Sequence, residues 1–131
     1  MLFRSGEMVI LVEGVSNFEM ISYKDPDKGK LYAAGKILEL KNDREIRDNR
    51  LMEMIINYSE EYDPEFLKKI KGNTILLNEL AIAMNLSSAD KYKYISMKDL
   101  DNRESFLKGQ MSILVKLREQ ERLLDNDYYL N

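Results

Sequence analysis

A chain with no histidine and no cysteine has few ways to do chemistry. Imidazole is the usual general base near neutral pH, and thiolate and imidazole are the usual zinc ligands. Ser-His and Cys-His catalysis and ordinary zinc sites are therefore excluded. Asp, Glu, Lys and Tyr remain, together with an oxygen-ligated hard cation such as Mg²⁺. Three groups of residues have the types and spacing for such work. Asp27, Glu39 and Lys41 supply two hard carboxylates and an ammonium. Arg44, Arg47 and Arg50, spaced by three, lie along one side of an expected helix and offer a grip for phosphates. Asp43, Glu45 and Asp48 are interleaved with them, which also suits an exposed helix face laced with ion pairs. Lys91 and Lys93 alternate with Tyr92 and Tyr94, a pattern that contacts nucleic acid by charge and stacking, or that packs tyrosines with their hydroxyls at the rim.

Pro26-Asp27 followed by Glu39-Leu40-Lys41 resembles the Pro-Asp…(Asp/Glu)-x-Lys signature of a large nuclease superfamily. The resemblance implies that Asp27 and Glu39 hold Mg²⁺ from neighbouring strands and that Lys41 positions or activates the attacking water. Here Lys28-Gly29-Lys30 stands where that family has apolar residues after its Asp. The competing reading of the same letters is a surface turn followed by a strand end. Asp25-x-Asp27-x-Gly29 does not make an EF-hand, because the glycine comes one position early and Lys36 fills the twelfth place. Glu60, Glu61 and Asp63 sit at a helix junction, where they solvate and cap. No cofactor and no metal site is assigned.

The elements that must carry these residues divide near residue 42. Met8 to Val12 is a short, β-branched apolar run ended by Gly14 and reads as a buried strand. Phe18 to Tyr23 alternates less cleanly, Lys24 to Gly29 breaks the chain, and Leu31 to Leu40 follows as a third strand, with Gly35 as a bending point. An antiparallel meander of three strands is expected, with helix from Leu31 as the rival. Beyond it Asn42 with Glu45 resembles a capping box for a helix to Tyr58 or Ser59. Asp63-Pro64 opens a short helix ending at Gly72, and Asn73 or Thr74 caps the next, through Leu86. Ser87 with Asp90 starts a brief helix through Tyr94. Leu77 to Ile95 has the outline of a helix-turn-helix, with Asn85 suited to the left-handed turn. Ser96 with Asp99 then opens one long helix to Leu124, with Leu100, Phe106, Leu107, Met111, Ile113, Leu114, Leu117 and Leu124 on one side.

The expected fold is thus α+β. A small N-terminal antiparallel sheet (residues 7–41) packs on a helical part (43–125) that ends in a long amphipathic helix, all in a single domain 1–131. Net charge is −3, no apolar run approaches 18 residues, and no leader-like segment is present, so the chain reads as soluble and cytoplasmic, with no membrane partner. The expected function is non-enzymatic: a regulator, inhibitor or adaptor that binds a protein partner and forms a dimer through the last helix. Phe106, Met111, Ile113, Leu117 and Leu124 are the contact residues in that reading. The alternatives are a nucleic-acid-binding regulator using Arg44, Arg47 and Arg50 or Lys91 and Lys93, and an Mg²⁺-dependent nuclease using Asp27, Glu39 and Lys41.

Overall fold

The computed structural model describes residues 6–40, 42–70 and 74–130, the last four by their backbone alone. The chain divides into two compact units, Met1–Lys41 and Asn42–Asn131. The described residues make an α+β protein with a two-stranded antiparallel sheet and four α-helices.

In the first unit, β1 (Phe18–Lys24) pairs with β2 (Ala34–Glu39). The turn between them is the expected one, with Gly29 at φ 89° and the Lys30 N–H donating to the Asp27 carbonyl at 2.9 Å. A bulge falls between Met20 and Ser22, so Ser22 pairs with Lys36 and Tyr23 with Gly35. That extra residue explains the imperfect alternation of the sequence. It returns Tyr23 to the face of Phe18, Met20 and Ile37, and leaves Glu19, Ser22, Lys24 and Lys36 on the other. Gly35 is required there, because a Cβ would stand 2.6 Å from the Ser22 carbonyl oxygen and 2.9 Å from the Met20 sulfur.

The strand expected at Met8 to Val12 is not formed, so the sheet has two strands among the described residues. Apart from an isolated bridge at Met8, residues 7–17 join no ladder, and Met8 to Val12 are all exposed. A uniformly apolar strand needs cover on both faces, and the described residues of this unit leave Met8 to Val12 exposed.

The second unit is built on two helices running side by side. α1 (Asn49–Glu61) starts seven residues later than its supposed Asn42 cap, because Asp48 is the true one, accepting from the Leu51 N–H at 3.0 Å. The residues before it are extended and bridge to the segment before α2. Ile46 N–H donates to the Ile75 carbonyl and Leu77 N–H to that of Arg44, each at 2.9 Å. This pairing holds Ile75 and Leu76 out of helix, so α2 (Leu77–Ala83) begins later than Thr74. Asn73 and Gly72 lie outside the described residues. Between α1 and α2 the expected helix after Asp63-Pro64 is only a 3₁₀ turn, Leu67–Lys69.

α3 (Ser88–Ser96) has its expected cap, Ser87, which accepts from the Asp90 N–H at 3.2 Å. The turn before it contains Asn85 at φ 52°, the left-handed conformation anticipated for that residue. α4 (Leu100–Leu130) is continuous over 31 residues, about 46 Å at 1.5 Å per residue. It begins at Leu100 rather than Ser96 because Asp99 is the cap, accepting from the Asp101 N–H at 2.8 Å, while residues 97–99 are non-helical.

The core lies where α1, α2 and the first half of α4 converge, with Leu51, Ile55, Leu77, Leu80, Leu107 and Met111 fully buried. Tyr58 meets Phe66 edge-on, ring centroids 5.1 Å apart. Lys108 binds Asp48 and Arg118 binds the Tyr58 hydroxyl, both pairs 60 residues apart, so α1 and α4 are parallel and in constant register.

Candidate functional site

The hairpin does not bring the carboxylates of the nuclease-like pattern together. Glu39 pairs with Phe18 at the open end of the ladder, and Asp27 lies in the loop beyond Lys24 and Ala34 at the other. About 20 Å of strand separates those ends at 3.3 Å per residue. Asp27 instead pairs with Lys24 at 3.2 Å, and Lys41 lies outside the described residues. Among the described residues no group of three acidic side chains is placed to hold a metal ion.

The three arginines do not form one helical edge. Arg44 and Arg47 lie in the extended segment, and only Arg50 is on α1. The Arg44 guanidinium is largely buried and pairs with Glu104 at 2.9 Å and with Asp101. Burial opposes its charge, but the hydrogen bonds to Glu104 and Asp101 prevail and hold its pKa above the ordinary value. The Glu104 carboxylate also accepts from the Arg47 backbone N–H at 2.8 Å. These charges tie α4 to the entry of the unit and leave little of Arg44 for a phosphate.

Beneath them lies a residue that sequence reading missed. Arg103 is 2% exposed, and its guanidinium donates to the carbonyls of Met97 (2.7 Å), Asn42 (2.9 Å) and Ile95 (3.0 Å). Two of these are the last carbonyls of α3 and its exit, where a helix carries partial negative charge. Arg103 therefore closes α3 from outside, with its guanidinium 5.0 Å from the Tyr94 ring centre. The Tyr94 hydroxyl donates to Asn78 Oδ1 at 2.6 Å, and burial pushes its pKa up to about 12. The only signal in the letters was an arginine on the apolar side of an amphipathic helix.

Lys91, Tyr92 and Lys93 are exposed on α3, as a nucleic-acid contact requires, while Tyr94 is turned into the core. Lys93 lies over the Phe106 ring at 5.6 Å. A cleft of about 420 Å³ runs between α1 and α4, with Arg50 and Lys108 toward one end and Glu61 and Glu119 toward the other.

α4 itself carries two apolar faces rather than one. Leu107, Met111, Leu114 and Val115 turn to the core. Met111 is 0% exposed and is a core residue, not a surface contact, and Phe106 packs against the core beside Tyr94. Ile113, Leu117 and Leu124 are 53%, 51% and 68% exposed. At 100° per residue they fall within an arc of about 40°, some 125° round the helix from the core-facing side. Beside them a notch of about 160 Å³ opens against the α2–α3 turn, lined in part by Met84, Ser87, Ile113 and Leu117. Past Arg122, which lies 5.9 Å from the Tyr62 ring centre, residues 123–126 of α4 are exposed.

Comparison with protein-family models, with curated proteins and with solved structures finds no match to this chain. Among the described residues no helix is long and apolar enough to cross a membrane.

Proposed function

We propose that this is a non-enzymatic interaction protein that works as a homodimer joined through the outer apolar face of α4, and that the dimer regulates or adapts a macromolecular partner. The observation that carries the reading is the second apolar stripe, Ile113, Leu117 and Leu124, on a helix that continues beyond its own core. A lone amphipathic helix gains most of its stability from covering such a stripe. Burying what these three residues expose, on both copies, yields about 5–10 kcal/mol at 1.5–3 kcal/mol per fully buried side chain. The cost of association is of similar size, about 4–15 kcal/mol. Assembly is then reversible and set by concentration. Light scattering over a dilution series tests this: the mass rises from monomer to dimer for the native chain and stays monomeric for Leu117→Glu. A monomer at every concentration refutes the proposal.

A second reading has its own support. The α2–turn–α3 hairpin presents Lys91, Tyr92 and Lys93 outward, which suits contact with a nucleic-acid backbone. Titration of a DNA duplex at low salt tests it, since phosphate contacts strengthen there. No binding at low salt ends this reading without touching the first.

A further inference from the structure

We infer that the two copies of α4 meet parallel and in register, with Lys116 of each beside Glu121 of the other. This rests on the self-association proposed above and adds its geometry. Written as a heptad, Gln110, Leu117 and Leu124 take the a positions, and Ile113 and Gln120 take d. Lys116 then falls at g, and Glu121 at the following e.

In a parallel pair each g residue lies beside the e residue five places on in the other helix. Two-fold symmetry therefore makes the Lys116–Glu121 contact twice. In an antiparallel pair g edges meet g edges and e edges meet e edges. Lys116 would face Leu123 or a second Lys116, and Glu121 would face Leu114. Only the parallel arrangement joins opposite charges.

Gln120 supports the same choice. In parallel register it lies beside its own counterpart, where one amide N–H donates to the other's carbonyl. Reversed with Lys116 beside Leu123, it would sit against Leu117 with no partner inside an apolar seam; reversed with the two Lys116 together, it would meet Gln110, but like charges oppose that register. Glu121 is available for the contact, since its ion pair with Arg118 at 3.1 Å is exposed at both ends and easily exchanged. Leu107 and Met111, the buried residues of α4, take no a or d position, and the seam borders the α2–α3 turn, where Ile113 and Leu117 line a notch with Met84 and Ser87.

The chain has no cysteine, so a single introduced thiol reports its neighbour without interference. Ile113→Cys and Leu124→Cys are prepared separately and oxidised at a concentration where the native chain is dimeric. The inference expects each to form a disulfide-linked dimer alone, with nothing gained on mixing. Linkage only in the mixture means an antiparallel pair; it overturns the inference and leaves self-association standing. A monomeric mass for the native chain overturns both. Charge exchange gives a second measurement that introduces no thiol into the seam. Lys116→Glu and Glu121→Lys each weaken dimerisation by about three- to tenfold, and the double variant restores it. A double variant no tighter than the singles overturns the pairing.

Discussion

Replacing Arg103 by Met should be among the most damaging single changes in the helical unit. The thioether keeps most of the aliphatic packing but cannot reach the carbonyls of Asn42, Ile95 and Met97. A hydrogen bond from a charged donor contributes about 1.5–3 kcal/mol. Three are lost, and so is the contact with Tyr94, worth about 0.5–2 kcal/mol. Relief from burying a charge and hydration of the freed carbonyls return part of this, leaving a net cost of about 3–5 kcal/mol. A domain of this size holds about 5–15 kcal/mol in all, so Tm should fall by some 15 °C or more. Urea unfolding followed by far-UV circular dichroism measures the change, with the midpoint moving and the slope unaltered. Arg103→Lys keeps the charge at the end of α3 without the planar fork and should lose about half as much. A Met variant within about 1 kcal/mol of the native chain, or a Lys variant equal to it, refutes the idea that a forked donor closes α3.

Three further outcomes follow from the same contacts. Met111→Ala should cost about 2–5 kcal/mol of unfolding free energy and leave the dimerisation constant of the folded chain nearly unchanged, whereas Leu124→Ala should do the reverse; equal effects on both quantities would erase the distinction between the two faces of α4. Tyr94 ionises near pH 10 when unfolded and near 12 when folded, so the stability this gives is full below pH 10 and is lost as pH rises through 12. The loss amounts to roughly 2–3 kcal/mol at 1.36 kcal/mol per pH unit, and Tyr94→Phe should lack that portion of the alkaline slope; identical slopes would contradict the assignment. Gly35→Ala drives a methyl into the Ser22 carbonyl and should abolish amide protection across residues 18–39 in hydrogen exchange; native protection would show that the bulge accommodates a side chain.

The hairpin and α3 were legible because their signals are local. Gly29 and the acidic turn, Asn85, and the Ser87–Asp90 pair act within four residues of themselves. The starts of α1, α2 and α4 were misread where local rules met distant partners. Asn42 and Glu45 look like a cap, but the segment is drawn into a bridge with Ile75 and Leu76, a pairing no periodicity reveals. Met8 to Val12 has the composition of a strand but no ladder, because composition cannot state whether a second layer exists. The stripe on α4 was read as one surface because residues spread over nearly half the helix look continuous on paper. The buried Leu107 and Met111 show where the unit's own core divides it. Asp27 and Glu39 kept their spacing in sequence, and strand register carried them to opposite ends.

The fixed offset of 60 residues between α1 and α4 bears on how the helical unit forms. Two neighbouring helices that point the same way cannot be joined by a tight loop, so the chain between them must travel back along their length, and α2 and α3 lie on that return path. Each contact between the pair thus closes a loop of some sixty residues before it gives any stabilisation, an entropic toll that grows only slowly with length but is owed at the start. An up-and-down bundle of equal size, whose partners are adjacent in sequence, owes far less and should fold faster.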